Sequence, residues 1–482
     1  MDELKGILRE NLSAFVWYAF EKMHPTTDFL SNWHVDLIAE HLEAVSHRDI
    51  KRLIINIPPR YLKSFISTVA FPAWVQGRNP SETFMTASFS KKLATSHCLG
   101  SRTIMETGWY QSLFPQTSLS KDHNLKDHYK TAEHGERFST SVGATTTGMG
   151  GNILILDDPI SPDQARSAVK RKEANIWYQG SFRNRLNDKR NGAIIVIMQR
   201  VAEDDTAGFL LETGNWTHLN IPLIETERKD YSFGRVKKIR EVGEVLHEDR
   251  EGLEQIEELR KEVGFDSFET QFQQDPLPTD SSLVKSDWLL EYDPQFVEYD
   301  SVYVSWDTAI KIGSDNAKSI GIVFGTKRDS VYVLDVLGGQ FEYPELKRYC
   351  INVLNNCQEK YGKNPAAVLV EDRSSGEALI QDLKKLGLGN VIPIQPNQDK
   401  LTRMATQTPI MEAGNFKLPK EAKWKDSYVK ELMQFPRGKL KDKVDATSQF
   451  LGWFSQRKRN LGLIKPKILH FNNSHSSKYT VV

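Results

Sequence analysis

The chain has 482 residues, 39% of them hydrophobic and 26% charged, too many for one core at about 100–200 residues per domain and too apolar for a mostly disordered protein. Sixty-three basic residues balance sixty-three acidic ones, which excludes a global positive field and leaves any nucleic-acid contact to local basic patches. Cys98, Cys350 and Cys357 show no CxxC pair and no zinc-finger spacing. They are expected to be structural thiols in a reducing compartment.

The opening MDELKGILREN and the apolar run from Leu12 to Phe20, broken by Ser13, are too short and too acidic in the flank for a signal peptide or membrane span. Residues 1–30 are therefore expected to be a helical segment of a cytoplasmic protein. In FLSNWHVDLIAEHL, Trp33 and His34 precede a helix. A ring there can stack on an adenine, and a core tryptophan fits the same pattern equally well.

From Arg52 to about Ile224, short β-branched runs (RLIINI, TFMTAS, ERFSTSV, NILIL, AIIVIM, HLNI) alternate with helix-like stretches. This rhythm predicts a largely parallel sheet flanked by helices. The first strand ends in IPPRYLKS, with Lys63 and Ser64 at the lysine and hydroxyl positions of a phosphate-binding loop opening a helix. In such a loop, backbone N–H groups and the helix dipole favour phosphate, the lysine reaches the β- and γ-phosphates, and the hydroxyl joins a Mg²⁺ shell. Ile57 and Leu62 stand where the common pattern has glycine.

NILILDDP is an apolar strand ending in Asp157 and Asp158. One acid can hold Mg²⁺ and the other can orient and deprotonate a water; a helix cap or Asx turn before proline is the plainer alternative. AIIVIMQRVAEDD ends a further strand in Gln199 and Arg200, placed to feel a neighbouring γ-phosphate.

Glu225 to Phe265 is highly charged with few large apolar positions, and is expected to be linker and surface subdomain. From Ser301 the pattern changes to three strands separated by short turns (VYVSWD, SIGIVFG, SVYVLDV), then a helix near Pro344 to Tyr361 and the strand AAVLVED. This points to a second, mixed sheet that is antiparallel at its start. Asp307 and Glu371 end strands there, and Asp445 lies on the apolar-periodic helix of KVDATSQFLGWF. In a ribonuclease-H-like sheet these three acids meet. Their mutual repulsion calls for two Mg²⁺ or Mn²⁺ ions between them, which clamp the attacking and leaving oxygens of a phosphodiester. Asp335 and Asp372 are rivals for these places. Basic stretches at 171–190, 436–443 and 456–460 can contact phosphates without reading sequence, or can be ordinary solvated faces.

In this order, IPPRYLKS, LILDDP, IMQRVAEDD, SWDTA, LVEDRSSGEALIQDL and PRGKLKDKVDATSQFLGWF resemble the large terminase subunit of tailed phages and prophages, in the branch whose phosphate loop reads PPR with KS shortly after. The resemblance runs from about Asn32 to Trp453. It implies an α/β protein with a P-loop ATPase domain of the additional-strand kind at 31–225, a linker or surface subdomain at 226–290, a ribonuclease-H-like nuclease domain at 291–465 and a polar tail at 466–482. It implies Lys63 and Ser64 for phosphate and metal, Asp157 for the Mg²⁺ that accompanies ATP, and Asp158 at the place where many relatives carry a catalytic glutamate. It further implies Arg60 on the transition-state charge, Gln199 in coupling, and Asp307, Glu371 and Asp445 as nuclease acids holding two divalent ions. Leu62 departs from the glycine or alanine usual before the lysine.

The implied activity is ATP-driven translocation of double-stranded DNA into a procapsid, with endonucleolytic cutting. The implied partners are the portal protein, a small terminase subunit and further copies in a ring. The implied place is the cytoplasm of the bacterial host, at the portal, and not the mature virion. A helicase-nuclease of DNA repair would carry further helicase motifs, and none is found. A prophage relic kept only for binding DNA or capsid would be expected to have lost the lysine or an acid.

Overall fold

The computed structural model describes residues 2–277, 282–308, 318–372, 375–387, 390–395, 397–438 and 440–460. The chain divides into two compact units, Met1–Thr279 and Asp280–Val482.

In the first unit, β1 (Arg52–Asn56), β2 (Thr83–Ser88), β3 (Leu119–Asn124), β4 (His128–Thr131), β5 (Glu136–Ser141), β6 (Ile153–Asp157), β7 (Ala193–Met198) and β8 (Thr217–Asn220) form one sheet in the order β3-β4-β5-β2-β6-β7-β1-β8. From β5 to β8 all neighbours are parallel. Such strands are covered on both faces, so every residue of β6 and β7 is apolar or engaged, and all are buried. Strands β3 and β4 add an antiparallel edge. Their polar sequences, LSKDHN and HYKT, hide them from a search for β-branched runs.

Strand β7 is inserted between β1 and β6, the additional-strand order. Its register pairs Met198 with Asn56 on one side and Ile197 with Asp157 on the other, so the carboxyl ends of all three strands finish level.

The charged stretch 225–265 folds into this first unit. Strands β9 (Lys229–Asp230) and β10 (Ile239–Arg240) form a small ribbon. Arg240, although fully buried, donates to the carbonyls of Pro222, Leu223 and Glu244 and lies 3.2 Å from the buried Glu225. A buried cation is tolerated when it is paired and most of its N–H groups are satisfied, here those of Nη1 and Nη2. Charge in the sequence here marks internal pairing as well as surface.

In the second unit, β11 (Leu290–Tyr292), β12 (Ser301–Asp307), β13 (Ser319–Lys327), β14 (Ser330–Gly339), β15 (Pro365–Glu371), β16 (Val391–Ile394) and β17 (Phe416–Pro419) run in the order β11-β17-β14-β13-β12-β15-β16. The β12–β13 and β13–β14 pairs are antiparallel, while β15 and β16 continue parallel to β12. This is the ribonuclease-H-like order. Alternation along β12 splits its side chains between two layers. Val302, Val304 and Trp306 pack with Leu346, Cys350, Leu354 and Cys357 of the helix Tyr343–Tyr361. On the other face, Tyr303 meets Phe450 and Phe454, and Ser305 donates to the Ala446 carbonyl, all on the helix Asp442–Asn460. Trp306 lies over Gly321, where a Cβ would come within 2.5 Å of the ring.

All three cysteines are buried and free. Among the described residues no helix is long and apolar enough to cross a membrane.

Candidate functional site

The first cluster lies where β1, β6 and β7 end together. The loop after β1 turns through left-handed backbone at Arg60 (φ 71°) and Leu62 (φ 60°) without a glycine, a conformation that costs a non-glycine residue about 1–2 kcal/mol. The chain then enters a π-helical turn, Phe65–Ala70, continued by the α-helix Phe71–Arg78. Lys63 Nζ stands 3.0 Å from Asp158 Oδ1 and 3.4 Å from Gln199 Oε1. Ser64 Oγ donates to Asp157 Oδ1 at 3.0 Å.

Two further residues join Asp157 that carried no motif in the sequence. Thr68, four residues beyond Ser64 on the same helical face, donates to Oδ2 at 3.0 Å. His97, from the helix Lys91–Glu106, places Nδ1 3.2 Å from that same oxygen.

The two adjacent acids are driven apart. Burial works against charge on Asp157, but the His97 ring, Lys63 and Ser64 outweigh it and hold this carboxyl below the usual carboxylate range. Burial and then the charge of Asp157 act on Asp158, and they exceed the pull of Lys63, so its carboxyl is raised. Asp158 also sits in left-handed backbone, φ 43°.

Around this centre, Gln199 donates from Nε2 to Gln271 Oε1 at 3.3 Å. Arg200 is turned away: its Nε meets both oxygens of the buried Asp205 at 3.1 and 3.0 Å, and Nη2 meets the carbonyls of Ala202 and Glu203. Arg60 is exposed. The Trp33 ring lies 5.2 Å from Tyr231 with the Arg240 guanidinium 5.7 Å above it. His34 is buried between Tyr61 of the loop after β1 and His247, with centroids 5.5 and 6.0 Å away. Burial, reinforced by His247, lowers the His34 pKa to about 3, so the ring is neutral.

The second cluster lies at the carboxyl ends of β12 and β15. Their parallel register pairs Trp306 with Val370, which sets Asp307 level with Glu371. Asp445 enters from the first turn of the helix Asp442–Asn460. Burial, followed by the charges of Asp445, Glu371 and Asp442, pushes the Asp307 carboxyl up to about 7. Two cations from the helix Lys400–Ala405 offset this crowding. Lys400 bonds Asp445 Oδ2, while Arg403 places Nη2 2.8 Å from Asp445 Oδ1 and Nη1 3.9 Å from Glu371 Oε2.

Among the described residues no three His, Cys, Asp or Glu side chains converge as a ready-made metal site. The donor set nevertheless fits hard divalent cations: it is all carboxylate oxygen, repulsive enough to protonate one member near neutrality, and partly neutralised by side-chain cations. Asp442, Lys400 and Arg403 were not singled out in the sequence. The two rivals are engaged elsewhere: Asp335 is held by Lys360 at 2.5 Å and by the Tyr361 hydroxyl at 3.2 Å, and Asp372 accepts from Gln395 at 3.4 Å.

The sequence-family model described as the terminase RNaseH-like domain matches residues 304–452, a span that contains Asp307, Glu371 and Asp445. Residues 304–452 form a terminase ribonuclease-H-like domain. The resemblance to large terminase subunits drawn from the motif order stands on this match.

No curated protein matches the chain. Solved structures resembling it include the large terminase of a thermophilic bacteriophage in complex with ADP, at 12% identity over 88% of this chain and 99% of that one, TM-score 0.33. The human cytomegalovirus terminase nuclease domain is 10% identical over 36% and 94%, TM-score 0.29. The large terminase nuclease of a second thermophilic phage, with bound magnesium, is 14% identical over 37% and 99%, TM-score 0.26. Scores this low carry no argument of their own.

Within the terminase domain, the basic stretches are less free than their sequence suggests. Lys443 donates to Ser427 and lies 3.6 Å from Glu431, and Lys458 pairs with Asp329. In the first unit, Arg171 is buried against Asp204 and the Ala165 carbonyl. Charge density alone cannot separate such tied cations from those that face a ligand.

Proposed function

We propose that the chain works as a terminase large subunit, hydrolysing ATP in its N-terminal unit to drive double-stranded DNA into a procapsid and cutting that DNA in its C-terminal unit. The observation that carries the ATPase half is the meeting of Lys63, Ser64, Asp157 and Asp158 at the level ends of β1 and β6, with β7 between them. Ser64 and Asp157 would hold the Mg²⁺ of Mg·ATP, an ion that neutralises charge on the β- and γ-phosphates. Lys63, held by Asp158 and Gln199, would turn to the phosphates. Asp158 would then be left with the raised proton affinity that a base for the attacking water requires. Arg60, exposed on the loop, is suited to offset transition-state charge. His34, against Tyr61, and Trp33 beside His34 would flank the nucleotide.

In the C-terminal unit, Asp307, Glu371 and Asp445 would hold two Mg²⁺ or Mn²⁺ ions, which would supply Lewis-acid charge for phosphodiester cleavage. Lys400 and Arg403 would release Asp445 and turn to backbone phosphates. The partners proposed are double-stranded DNA, the portal protein, a small terminase subunit and further copies of this chain in a ring, at the portal in the cytoplasm of the bacterial host.

The test measures plasmid cleavage with Mn²⁺ or Mg²⁺, and ATP hydrolysis in the same samples, for the wild type, Lys63→Ala and Asp307→Ala. Lys63→Ala is expected to lose hydrolysis and keep cutting, and Asp307→Ala the reverse. Cutting that survives Asp307→Ala would overturn the nuclease assignment, and hydrolysis that survives Lys63→Ala would overturn the ATPase assignment.

A further inference from the structure

Gln199 directly follows β7, between the phosphate-loop lysine and the turn Phe268–Phe272. A carboxamide has an acceptor end and a donor end, and its neighbours decide which end faces which way. Here Lys63 takes the oxygen at 3.4 Å and Gln271 Oε1 takes the nitrogen at 3.3 Å.

The chain just after Gln271 is firmly held. The Leu223 N–H donates to the Phe272 carbonyl at 2.9 Å, and the Gln273 side chain brackets Ile224, accepting from its N–H and donating to its carbonyl, both at 2.9 Å. Gln274, in left-handed backbone at φ 56°, accepts the Arg200 N–H at 2.9 Å. Gln273 and Gln274 are both buried. Three glutamines in four residues thus fasten this segment to the carboxyl end of the sheet.

We propose that Gln271 is a positioning residue for phosphoryl transfer, which as an acceptor fixes the Gln199 carboxamide with its oxygen toward the phosphate site. The inference rests on the ATPase reading. With Gln271 accepting, Gln199 presents an acceptor to Lys63 or to a water beside a γ-phosphate; with a donor in its place, the amide would turn its NH₂ toward Lys63.

The experiment compares steady-state ATP hydrolysis and binding of a fluorescent ADP by the full chain as wild type, Gln271→Glu, Gln271→Lys and Gln271→Leu, with Lys63→Ala as reference. Glutamate keeps an acceptor, lysine offers only donors and leucine offers neither. Gln271→Glu is expected to keep kcat within about threefold, while Gln271→Lys and Gln271→Leu lose about tenfold, the size of one hydrogen bond's contribution. ADP affinity should stay within about twofold throughout. Equal kcat for the Glu and Lys variants would overturn the proposal, and that pair decides the matter even if Gln271→Leu does not fold. If Lys63→Ala hydrolyses ATP like the wild type, the ATPase reading falls and the inference with it; if Lys63 is required and the Glu and Lys variants still agree, the inference alone falls.

Discussion

Replacing Asp307 by asparagine removes one charge from a crowded cluster while keeping the shape of the side chain. The Asp307 carboxyl stands at about 7 against an ordinary 3.8, so the folded protein binds this proton more tightly than the unfolded chain does. That contribution is fully present below the unfolded value and is lost as pH rises through about 7. At about 1.4 kcal/mol per pH unit, the aspartate costs the second unit about 4 kcal/mol at pH 8, where it is ionised when folded, and about 1.5 kcal/mol at pH 5, where folding must protonate it. These are ceilings, because water reaches the end of β12.

Asp307→Asn should therefore stabilise the second unit at pH 8 in EDTA and gain much less at pH 5. Millimolar Mg²⁺ or Mn²⁺ should stabilise the wild type and narrow the difference, while cleavage is lost. Two units unfold separately in general, so the readout is hydrogen exchange in urea on peptides covering β12 and β13. A gain that is absent at pH 8, or equal at pH 5 and pH 8, would refute the claim that Asp445, Glu371 and Asp442 crowd Asp307.

Arg403→Gln leaves the buried Asp445 with Lys400 as its remaining named cation; it should destabilise the metal-free second unit by about 2–4 kcal/mol, and Mn²⁺ should restore most of the loss in the same exchange measurement. Asp205→Ala removes an acceptor shared by Arg200 Nε and by the N–H groups of Val201, Ala202 and Gly208. It should cost the first unit about 3–5 kcal/mol, read as lost protection of β7 peptides. Gly321→Ala drives a methyl into the Trp306 ring and should cost the second unit about 1–3 kcal/mol by urea unfolding.

The parts of this protein that were legible in the sequence are those fixed by one local rule. Buried parallel strands such as ILILD and AIIVIM are continuous apolar runs because both faces are covered. Asp157, Asp158, Asp307 and Glu371 announce themselves by ending strands. What was hidden depends on neighbours distant in sequence. His97 looks like any polar residue of a surface helix until the helix Lys91–Glu106 packs against β5 and β2 and brings the ring to Asp157. Thr68 had a signal, its four-residue spacing from Ser64. Arg403 and Lys400 read as solvated charges until the helix Asp442–Asn460 brings Asp445 beneath them. Leu62 looked like a defect in a glycine loop, yet the chain takes the left-handed turn there regardless, at the cost of some strain.

The position of Asp445 has a consequence in time. Its helix is the last described element, and it closes over β12 of its own unit through Ser305 and the aromatic layer around Phe450. A ribosome delivers the loop after β1, and then β6 and β7, long before it delivers this helix. A nascent chain that has not reached Asp442 lacks both the third acid and the cover over β12. On the proposed function, synthesis itself therefore acts as a safety catch: the carboxylates proposed to cut DNA come together last, after the cluster proposed to bind nucleotide has been made.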